Sequence, residues 1–447
     1  MSTTAHERPV TRALARGRWR TPAAAALVAV LVVASRAAAC IWDSDTLEAE
    51  RKGLPDILEI LVGRFDRNPP LWFEMRLARA TAAVAANADD FAAYDDAGVA
   101  CDRLGRGEEA IRWMDRKAER LRAMGDAAPA EHVYRRLANQ GTLRAHHWLR
   151  TGADRARLAE MRQARDEIAE AIRIHPDAHF GRERYQLRAM DWIADPPVAS
   201  GGDTYGLAPD FLGLPGNRIG SVRTDNGALA ELGMPDAVEG LSGLVVLGAA
   251  WESVDVFHAL DNALAIDGRS SVAYVASLRC AELIRAGRTS LLPGAPTGEA
   301  LVTSLHAGTS RFLYPREVAA LDAWYAEARA AADRWARARE DFVLARLRAG
   351  RHPDTDSSFW DDWDDDAIPM PTPPGGTLAD RTLDAMGLLH PQQAMVAGPC
   401  WLVSLAVVGV TVVLVVRSRR RKARAAANGG AGGADGAAAA PADPRQR

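Results

Sequence analysis

The sequence predicts an all-α protein of stacked helical hairpins, and three features support this fold class. The chain has 447 residues, 48% of them hydrophobic and 6% aromatic, which is enough apolar material for two or three packed units. Over long stretches the apolar residues recur at spacings of three and four, the period of a helix that packs on one side. Small and bulky residues also repeat in a common frame. No strand pattern competes, so we expect helices throughout the folded body.

The first 39 residues have the features of a secretory signal peptide. Five arginines between Arg8 and Arg20 precede an apolar stretch, Ala23–Ala34, and the small residues Ala37–Ala39 form a cleavage site. Twelve apolar residues are too few to span about 30 Å of hydrocarbon as a helix. We therefore expect export and cleavage, with an uncleaved anchor and a lipidated Cys40 as alternatives.

The C-terminal region contains a predicted membrane-spanning helix at residues 397–416. These 20 residues carry no charge, and Arg417 begins a run of six basic residues that ends at Arg424. By the positive-inside rule the basic and Ala/Gly-rich tail, residues 417–447, lies in the cytoplasm. The sequence thus predicts a single-pass protein of the bacterial inner membrane whose body is periplasmic or otherwise extracytoplasmic.

Four segments lie between these ends. Residues 40–194 show helical periodicity, with Ala, Leu, Arg and Glu abundant. Residues 195–240 form a Gly/Pro-rich insert, after which helical periodicity resumes across residues 241–350, with a helix beginning at Pro315. Residues 351–396 are rich in Asp and Pro. We expect them to form an extended stalk, because like charges repel and proline stiffens the backbone.

The 34 residues Ala145–Ala178 carry the repeat frame on which the fold prediction depends. Small residues at the eighth and twentieth positions let two antiparallel helices approach closely, and a bulky residue at the fourth position fills the space beside them. A proline ends the second helix. This pattern is typical of a tetratricopeptide repeat (TPR). The residues that occupy the frame are Trp148, Gly152, Ala164, Ala171 and Pro176.

A second copy of the frame spans Phe91–Met124. The residues at its matching positions are Tyr94, Gly98 and Ala110. The offset between the two copies is not a multiple of 34, so an extra helix is expected between them, at about Ala130–Asn139. A degenerate third copy covers residues 244–264, and Val272–Gly287 has the pattern of the first helix of a further unit.

The start of the mature protein carries a narrower resemblance. The motif Cys40-Ile41-Trp42-Asp43-Ser44-Asp45-Thr46-Leu47 is followed by Gly63-Arg64-Phe65, Tyr94–Ala100 and Asp177–Glu183. Over residues 40–290 the sequence resembles a group of exported bacterial TPR proteins, found especially in planctomycete-like lineages, that begin with C-x-W-D-x-D-T-L. The resemblance implies export and a TPR pair, and it implies no particular biochemical activity.

Composition argues against several classes of function. The net charge of the whole sequence is −3. Residues 1–39 contribute +5 and residues 417–447 contribute +6, so the body between them carries −14. An acidic body argues against a nucleic-acid partner, because phosphate binding needs clustered Lys and Arg. Four scattered cysteines offer neither a disulfide framework nor a C-x-x-C metal site. No phosphate-binding loop, G-x-S-x-G or H-E-x-x-H motif occurs, so we predict no cofactor, no metal and no enzymatic activity.

Two acidic groups have competing interpretations. Asp43 and Asp45 could act as a carboxylate pair, but Ser44 or Asp45 more simply caps a helix that begins near Thr46. The stretch from residue 354 to residue 365 imitates a calcium-binding loop, yet an aromatic residue stands where that loop needs glycine. The two tryptophans of this stretch are expected to dock it onto the body or to bind a basic partner. These tryptophans are Trp360 and Trp363.

The histidines form two further patterns. His175, His179 and Glu183 have the spacing of helical metal ligands, but a proline lies between the histidines, which favours a turn between repeats. His146 and His147 are adjacent and point about 100° apart on a helix, so they cannot chelate one ion. We expect one of them to pack internally and the other to face a groove.

These features together predict a non-catalytic, membrane-tethered TPR scaffold that binds a protein or peptide on the extracytoplasmic side. The first helices of the hairpins would line the binding groove. The candidate groove residues are Asp95, Asp102, His147 and Arg155. Two alternatives stay open: a structural subunit of an envelope complex, and a ligand-binding or enzymatic site built by residues 195–240.

Overall fold

The computed structural model describes residues 42–176, 182–197, 210–214, 227–303 and 313–374. The predicted signal peptide, membrane helix and cytoplasmic tail lie outside these residues, as do the second part of the predicted stalk and residues 177–181 of the resemblance. Within the described ranges, no helix combines the length and the apolar composition needed to cross a bilayer.

The protein divides into two compact units. The first comprises residues 1–311 and 315–374 and contains all the helices α1 to α13 of the described body. Residues 312–314 and 375–447 make up the second unit, of which only residues 313 and 314 are described.

The described body is all-α, as the sequence predicts, and the described residues contain no strand. The helices of its first half are α1 (Ser44–Lys52), α2 (Ile57–Val62), α3 (Pro70–Ala86), α4 (Phe91–Arg103), α5 (Gly107–Met124), α6 (Ala130–Arg150), α7 (Leu158–Ile174) and α8 (Arg182–Ala194). Those of its second half are α9 (Ala228–Glu231), α10 (Ala237–Val246), α11 (Val254–Ile266), α12 (Ser270–Arg285) and α13 (Pro315–Arg348).

Successive helices pack against one another from α3 to α8, and the series continues through α10, α11 and α12. The long helix α13 then contacts α12 and also α2 and α3 near the start of the body. Val343 of α13 belongs to the same buried cluster as Trp72 of α3 and Met114 of α5. The last helix therefore closes the body by joining its two halves, and this junction is where the candidate site lies.

Glycines mark the closest approach of the paired helices. In the α4–α5 hairpin, a Cβ atom on Gly98 would lie 2.7 Å from Met114 Cε and 3.6 Å from the Ala110 carbonyl oxygen. In the α6–α7 hairpin, a Cβ atom on Gly141 would lie 2.7 Å from the Ala164 carbonyl oxygen. Glycine at these two positions allows helix backbones to approach more closely than any larger residue would permit.

The predicted frame of the second hairpin is wrong in two respects. Gly152 does not pack between helices: it follows α6 in an exposed turn with φ of 100°, and a Cβ atom there would meet nothing within 4 Å. Gly141 has the packing role instead. The separate helix expected at Ala130–Asn139 is the first part of α6, which runs unbroken to Arg150.

Apart from Pro176, the other residues of the frame are packed, but Trp148 lies in the last turn of α6 and not near the start of a first helix, where the frame places it. Pro176 follows the end of α7 at Ile174. The third predicted copy corresponds to α10 and α11. Val272–Gly287 corresponds to α12, which is the hairpin partner of α11 and not the first helix of a further unit. The predicted packing residues that are buried are Tyr94, Ala110, Trp148, Ala164 and Ala171.

The described parts of the Gly/Pro-rich insert contribute to the core. Phe211, Leu212 and Leu214 are buried, and Asp210 accepts hydrogen bonds from Asn262 Nδ2 of α11 at 2.8 Å and from two backbone amides of its own turn. The last residues of the insert begin α10 at Ala237. The described insert is therefore partly a structural element of the body.

Residues 351–374, named the C-terminal segment below, do not form the extended stalk that the sequence predicts. Phe359 is fully buried, and Trp324 Nε1 of α13 donates to the Pro371 carbonyl at 3.0 Å. The rings of Trp360 and Trp363 lie 5.9 and 5.2 Å from that of Phe342. The segment packs on the body because its aromatic residues gain apolar contacts, and because Arg76 and Arg346 of the body pair with two of its aspartates.

Candidate functional site

A pocket of about 640 Å³ lies where the N-terminal residues of the body meet distant parts of the chain. Its walls come mainly from residues 43–52, residues 65–73, residues 245–251 and residues 353–360, and Arg103 and Arg339 also line it. We name it the central pocket. Its volume is in the range of small-ligand sites, and its lining mixes aromatic rings with charges of both signs. The rings are those of Phe65, Trp72, Phe73, Trp251 and Trp360.

Arg76, in the middle of α3, joins the acidic residues of the pocket. Its side chain is 2% exposed and lies 2.7 Å from Asp45, 2.6 Å from Asp354 and 3.5 Å from Asp43. Burial alone would lower the pKa of Arg76, but the surrounding carboxylates outweigh it and raise the pKa. One guanidinium thus holds the N-terminal helix and the C-terminal segment against α3.

The pKa values of two of these carboxylates shift in opposite directions. Burial, followed by the nearby charge of Asp45, raises the pKa of Asp43. Burial also acts to raise the pKa of Asp354, but contacts with His352 and Arg76 outweigh it and hold that pKa well below its usual range. Asp354 is therefore the permanent anion that balances Arg76, and Asp43 takes up a proton more readily.

The N-terminal residues are tied to the helices behind the pocket. Ser44 donates from its backbone N and its Oγ to Asp96 of α4, at 2.8 and 2.9 Å. The backbone of Trp42 exchanges hydrogen bonds with the side-chain amide of Asn139 of α6, at 2.7 and 3.0 Å. Burial raises the pKa of Asp96 to about 7.

The helix cap at the start of α1 differs from the prediction. Thr46 N donates to Asp43 Oδ1 at 2.8 Å, so Asp43 caps α1, and neither Ser44 nor Asp45 does. The helix begins at Ser44, two residues earlier than expected, which moves the cap toward the N-terminus as well. Asp45 is thereby free to accept a hydrogen bond from Trp72 Nε1 at 2.9 Å.

The opposite wall of the pocket is built from arginine and tryptophan. The Trp251 ring centroid lies 3.7 Å from the Arg279 guanidinium carbon, 5.1 Å from that of Arg67 and 5.7 Å from that of Arg329. Gly63 allows the ring to approach the backbone, since a Cβ atom there would lie 2.5 Å from it. A flat ring among several guanidiniums is a cation–π arrangement that holds positive charge at the pocket wall.

Two of the four predicted groove residues are buried inside the helical array. Asp95 is 2% exposed and lies 2.7 Å from Lys117 Nζ of α5. Asp102 is fully buried, where it contacts His146 Nδ1 at 2.9 Å and pairs with Arg150. Burial acts to raise the pKa of Asp102, but these two partners outweigh it and hold that pKa well below its usual range. The expectation that Asp95 and Asp102 face a groove is therefore corrected: both neutralise charges within the fold.

The other two predicted groove residues lie at the surface. His147 is half-buried against Gly107, where a Cβ atom would lie 2.6 Å from His147 Nδ1. Arg155 is exposed and donates to the Ile193 carbonyl at 3.1 Å. Neither lines the central pocket. The structure brings none of the four residues predicted for the groove into this site.

The patterns that imitate metal sites are engaged in other contacts. The His175 ring packs 5.4 Å from that of Tyr134, whose hydroxyl donates to Glu183, while His179 lies outside the described residues. Asp356 pairs with Arg351 at 2.5 Å and accepts a hydrogen bond from Ser358 N. In the part of the protein that the structure describes, no three His, Cys, Asp or Glu side chains group to hold a metal ion.

Sequence reasoning missed the residues that organise the pocket, and one of them left a detectable signal. Trp72, Arg76 and Ala80 recur every four residues along α3 and share one buried face. An arginine on such a face needs a carboxylate from elsewhere, because an unpaired buried charge is costly. The partner, Asp354, lies 278 residues further along the sequence, and no local pattern could identify it.

A second cleft, of about 840 Å³, lies where the insert meets α7 and α8. Asp210 and Phe211 of the insert line it together with Arg162, Arg165 and Asp191 of these helices. Arg165 pairs with Asp191 at 2.7 Å, so part of its charge is satisfied internally.

Comparisons with known proteins give no relative from which to transfer a function. The sequence and structure match no protein-family model, no curated protein and no solved structure.

Proposed function

We propose that this protein is a non-catalytic, membrane-tethered scaffold that binds a segment of a protein partner at the central pocket, on the extracytoplasmic side. The pocket carries this proposal: about 640 Å³ of open space is lined by aromatic rings and by charges of both signs. Peptide-binding surfaces combine these two features, since rings anchor apolar side chains and charges select the neighbouring residues.

The helical hairpins support a TPR-type scaffold as part of this proposal. In both hairpins a glycine on one helix meets the alanine of its partner, through Gly98 with Ala110 and Gly141 with Ala164. Close pairing of small residues across a hairpin is what a TPR-type scaffold needs, although in the second hairpin Gly141 replaces the glycine of the predicted frame. Support for a membrane tether comes from the sequence. The signal-like residues 1–39 favour export, and the uncharged residues 397–416, followed by basic residues, favour anchoring in the inner membrane.

Site-specific photo-crosslinking in the native membrane tests the proposal. A photoreactive phenylalanine analogue replaces Lys52, an exposed residue of the pocket lining, or, in a control variant, Arg112, a similarly exposed residue of α5 outside the pocket. We expect a protein adduct from position 52 and none from position 112.

A substitution that fills the pocket tests whether the crosslink forms there. Ala249 is exposed and lines the pocket, so Ala249→Trp should abolish the adduct, whereas Ala159→Trp on the surface of α7 should leave it unchanged. The proposal fails if position 52 gives no adduct, if both positions give the same adduct, or if the adduct persists in Ala249→Trp.

Ligand binding at the insert is a second candidate function. The cleft of about 840 Å³ beside Asp210 and Phe211 supports it, because it contains charged side chains from two helices. The role of a structural subunit in an envelope complex stays the third proposal, and loss of every partner on truncation before residue 397 would favour it over pocket binding.

A further inference from the structure

The wall of the central pocket contains a guanidinium whose charge no carboxylate balances. Arg67 Nη2 donates to the Gly63 carbonyl at 3.0 Å, and its guanidinium carbon lies 5.1 Å from the ring centroids of both Phe65 and Trp251. Among the residues that the structure describes, none places a carboxylate within ion-pair distance of Arg67. Most of its five N–H donors are therefore available to a ligand.

The neighbours of Arg67 increase the positive potential around it. Partial burial against the rings lowers the pKa of Arg67, and the charges of Arg329, Arg279 and Arg339 lower it further, opposed in part by the charge of Asp333. Each of these three neighbours forms an ion pair with a carboxylate, which Arg67 does not do among the described residues. Arg279 and Arg329 pair with Glu282, and Arg339 pairs with Asp66.

A second lining arginine has the same unbalanced charge. Arg103, at the end of α4, donates to the carbonyls of Leu247 and Gly248 at 2.7 and 2.8 Å. In the described ranges no carboxylate lies within ion-pair distance of it. Carbonyl dipoles satisfy its hydrogen bonds but leave its net charge uncompensated.

Each acidic side chain of the pocket lining already contacts a basic one. The contacts are those of Asp43, Asp45 and Asp354 with Arg76, Asp356 with Arg351, Glu48 with Lys52 and Asp66 with Arg339. Among the described lining residues, Arg67 and Arg103 are therefore the arginines that the carboxylate of a ligand could pair with.

We propose that the central pocket binds a carboxylate group carried beside an aromatic or large apolar side chain, with Arg67 donating to the carboxylate and the Trp251 wall packing on the apolar group. This inference rests on the proposed function and deepens it, because it specifies the partner segment. Arg and carboxylate match in their fork geometry, and charge-assisted hydrogen bonds of this type are about twice as strong as neutral ones. Either an acidic side chain or the terminal carboxylate of a peptide could supply the group.

Calorimetric titration of the full-length protein in detergent micelles tests the inference. The probes are N-acetyl-phenylalanine, which has a terminal carboxylate, and N-acetyl-aspartyl-phenylalaninamide, which has a side-chain carboxylate. N-acetyl-phenylalaninamide is the neutral control. We expect at least one carboxylate probe to bind about tenfold or more tightly than the amide. Whichever binds more tightly identifies the source of the carboxylate.

Variants locate the interaction at Arg67. Arg67→Gln should remove the preference for the carboxylate, and Arg67→Lys, which keeps the charge but not the fork, should keep part of it. Arg112→Gln, at an exposed arginine of α5, should bind as the wild type does. Circular dichroism melting curves of the variants show that each one is folded.

Three results would overturn the inference: no probe binds, the amide binds as tightly as the carboxylates, or Arg67→Gln keeps the preference. Its failure can be separated from failure of the proposed function. A pocket-specific crosslink from position 52 without any carboxylate preference removes the inference alone. Carboxylate binding without a protein adduct removes the proposed scaffold role alone.

Discussion

The ammonium group of Lys117 is completely buried between α4, α5 and α6. It donates to both carboxylate oxygens of Asp95 at 2.7 and 2.8 Å, and Asn139 donates to the same carboxylate at 3.0 Å. Burial lowers the pKa of Lys117, and Asp95 opposes this effect. Such a pair does not by itself make a fold stable, but breaking it leaves a lone charge in the interior.

We therefore expect Lys117→Met to destabilise the protein by about 3 to 5 kcal/mol, because Asp95 would lose its counter-charge. The measurement is urea unfolding of the full-length protein in detergent, followed by far-ultraviolet circular dichroism. Lys52→Met is the matched control: the Lys52–Glu48 pair is exposed, with 3.5 Å between its charges, and should contribute less than about 1 kcal/mol. Adding Asp95→Leu to Lys117→Met should recover part of the loss; no recovery would contradict the explanation.

The raised pKa of Asp96 leads to a second prediction, which concerns how stability depends on pH. The pKa of Asp96 is about 7 in the folded protein, above the ordinary value of 3.8. Between about pH 4 and pH 7 the folded protein therefore keeps a proton on Asp96 that the unfolded protein has released. This stabilising contribution is complete below about pH 4 and is lost as pH rises through 7. Asp96→Asn, which cannot ionise, should lose less stability than the wild type between about pH 5 and pH 8.

The readout for Asp96 is the difference in urea midpoint between variant and wild type at the two pH values. A difference is needed because burial also raises the pKa of Asp210 and Glu183 to about 7, so the wild-type curve reports several groups. Asp361→Asn, at an exposed aspartate of the C-terminal segment, provides the control. Equal pH dependence in Asp96→Asn and Asp361→Asn would contradict the assignment.

At the scale of helices, the two close-packed glycines should respond differently to an added methyl group. At Gly98 the nearest atom is the terminal methyl of Met114, which can move. At Gly141 the nearest atoms are the Ala164 carbonyl oxygen, at 2.7 Å, and the stiff β-branched Ile168, at 2.8 Å. Alanine also gains up to about 1 kcal/mol of helix propensity over glycine at both positions.

Gly141→Ala should therefore destabilise the protein by about 1 to 3 kcal/mol, because α6 and α7 must separate. Gly98→Ala should be near neutral, since the propensity gain offsets the movement of Met114. Thermal unfolding of the two variants side by side measures the difference. Equal costs at both positions would mean that the backbone contact at Gly141 is not what limits the approach of the helices.

These helices also show what the sequence could predict. The period of apolar residues predicts the all-α class, and proline at a first helical position predicts the start of α13 at Pro315, because both signals are local in the sequence. The frame of the second hairpin depends on helix length. Ala110 follows Gly98 by 12 residues, whereas Ala164 follows Gly141 by 23, so beyond this contact the second hairpin has about one more turn in each helix and a longer connection between them. A frame of fixed length therefore selects Gly152, in the turn, over Gly141.

The central pocket was beyond prediction for a different reason. The aspartates of the C-terminal segment repel one another, and sequence alone favours an extended spacer. In the folded body they meet arginines from distant helices: Arg76 contacts Asp354, and Arg346 contacts Asp362 at 2.7 Å. Net charge along a segment is local, whereas its neutralisation depends on tertiary contacts.

At the scale of the whole molecule, the two ends of the described body meet at α3. Arg76 holds Asp43 and Asp45 from the N-terminal side and Asp354 from the C-terminal side. The residues next to the predicted cleavage site and those that lead toward the predicted membrane helix are thus both integral to the fold. If residues 397–416 span a membrane as the sequence predicts, we expect the whole body, from Trp42 to the C-terminal segment, to lie on one side of it.

A labelling experiment tests this topology. Arg112 has an exposed side chain on α5, so a cysteine from Arg112→Cys should react with a membrane-impermeant maleimide in intact spheroplasts. Cys101 and Cys280 are buried and should stay silent, and the wild type measures any signal from Cys40 or Cys400. Ala434→Cys, in the predicted cytoplasmic tail, should react only after permeabilisation. If Arg112→Cys also needs permeabilisation, the body is cytoplasmic, and neither export nor an extracytoplasmic partner can be maintained.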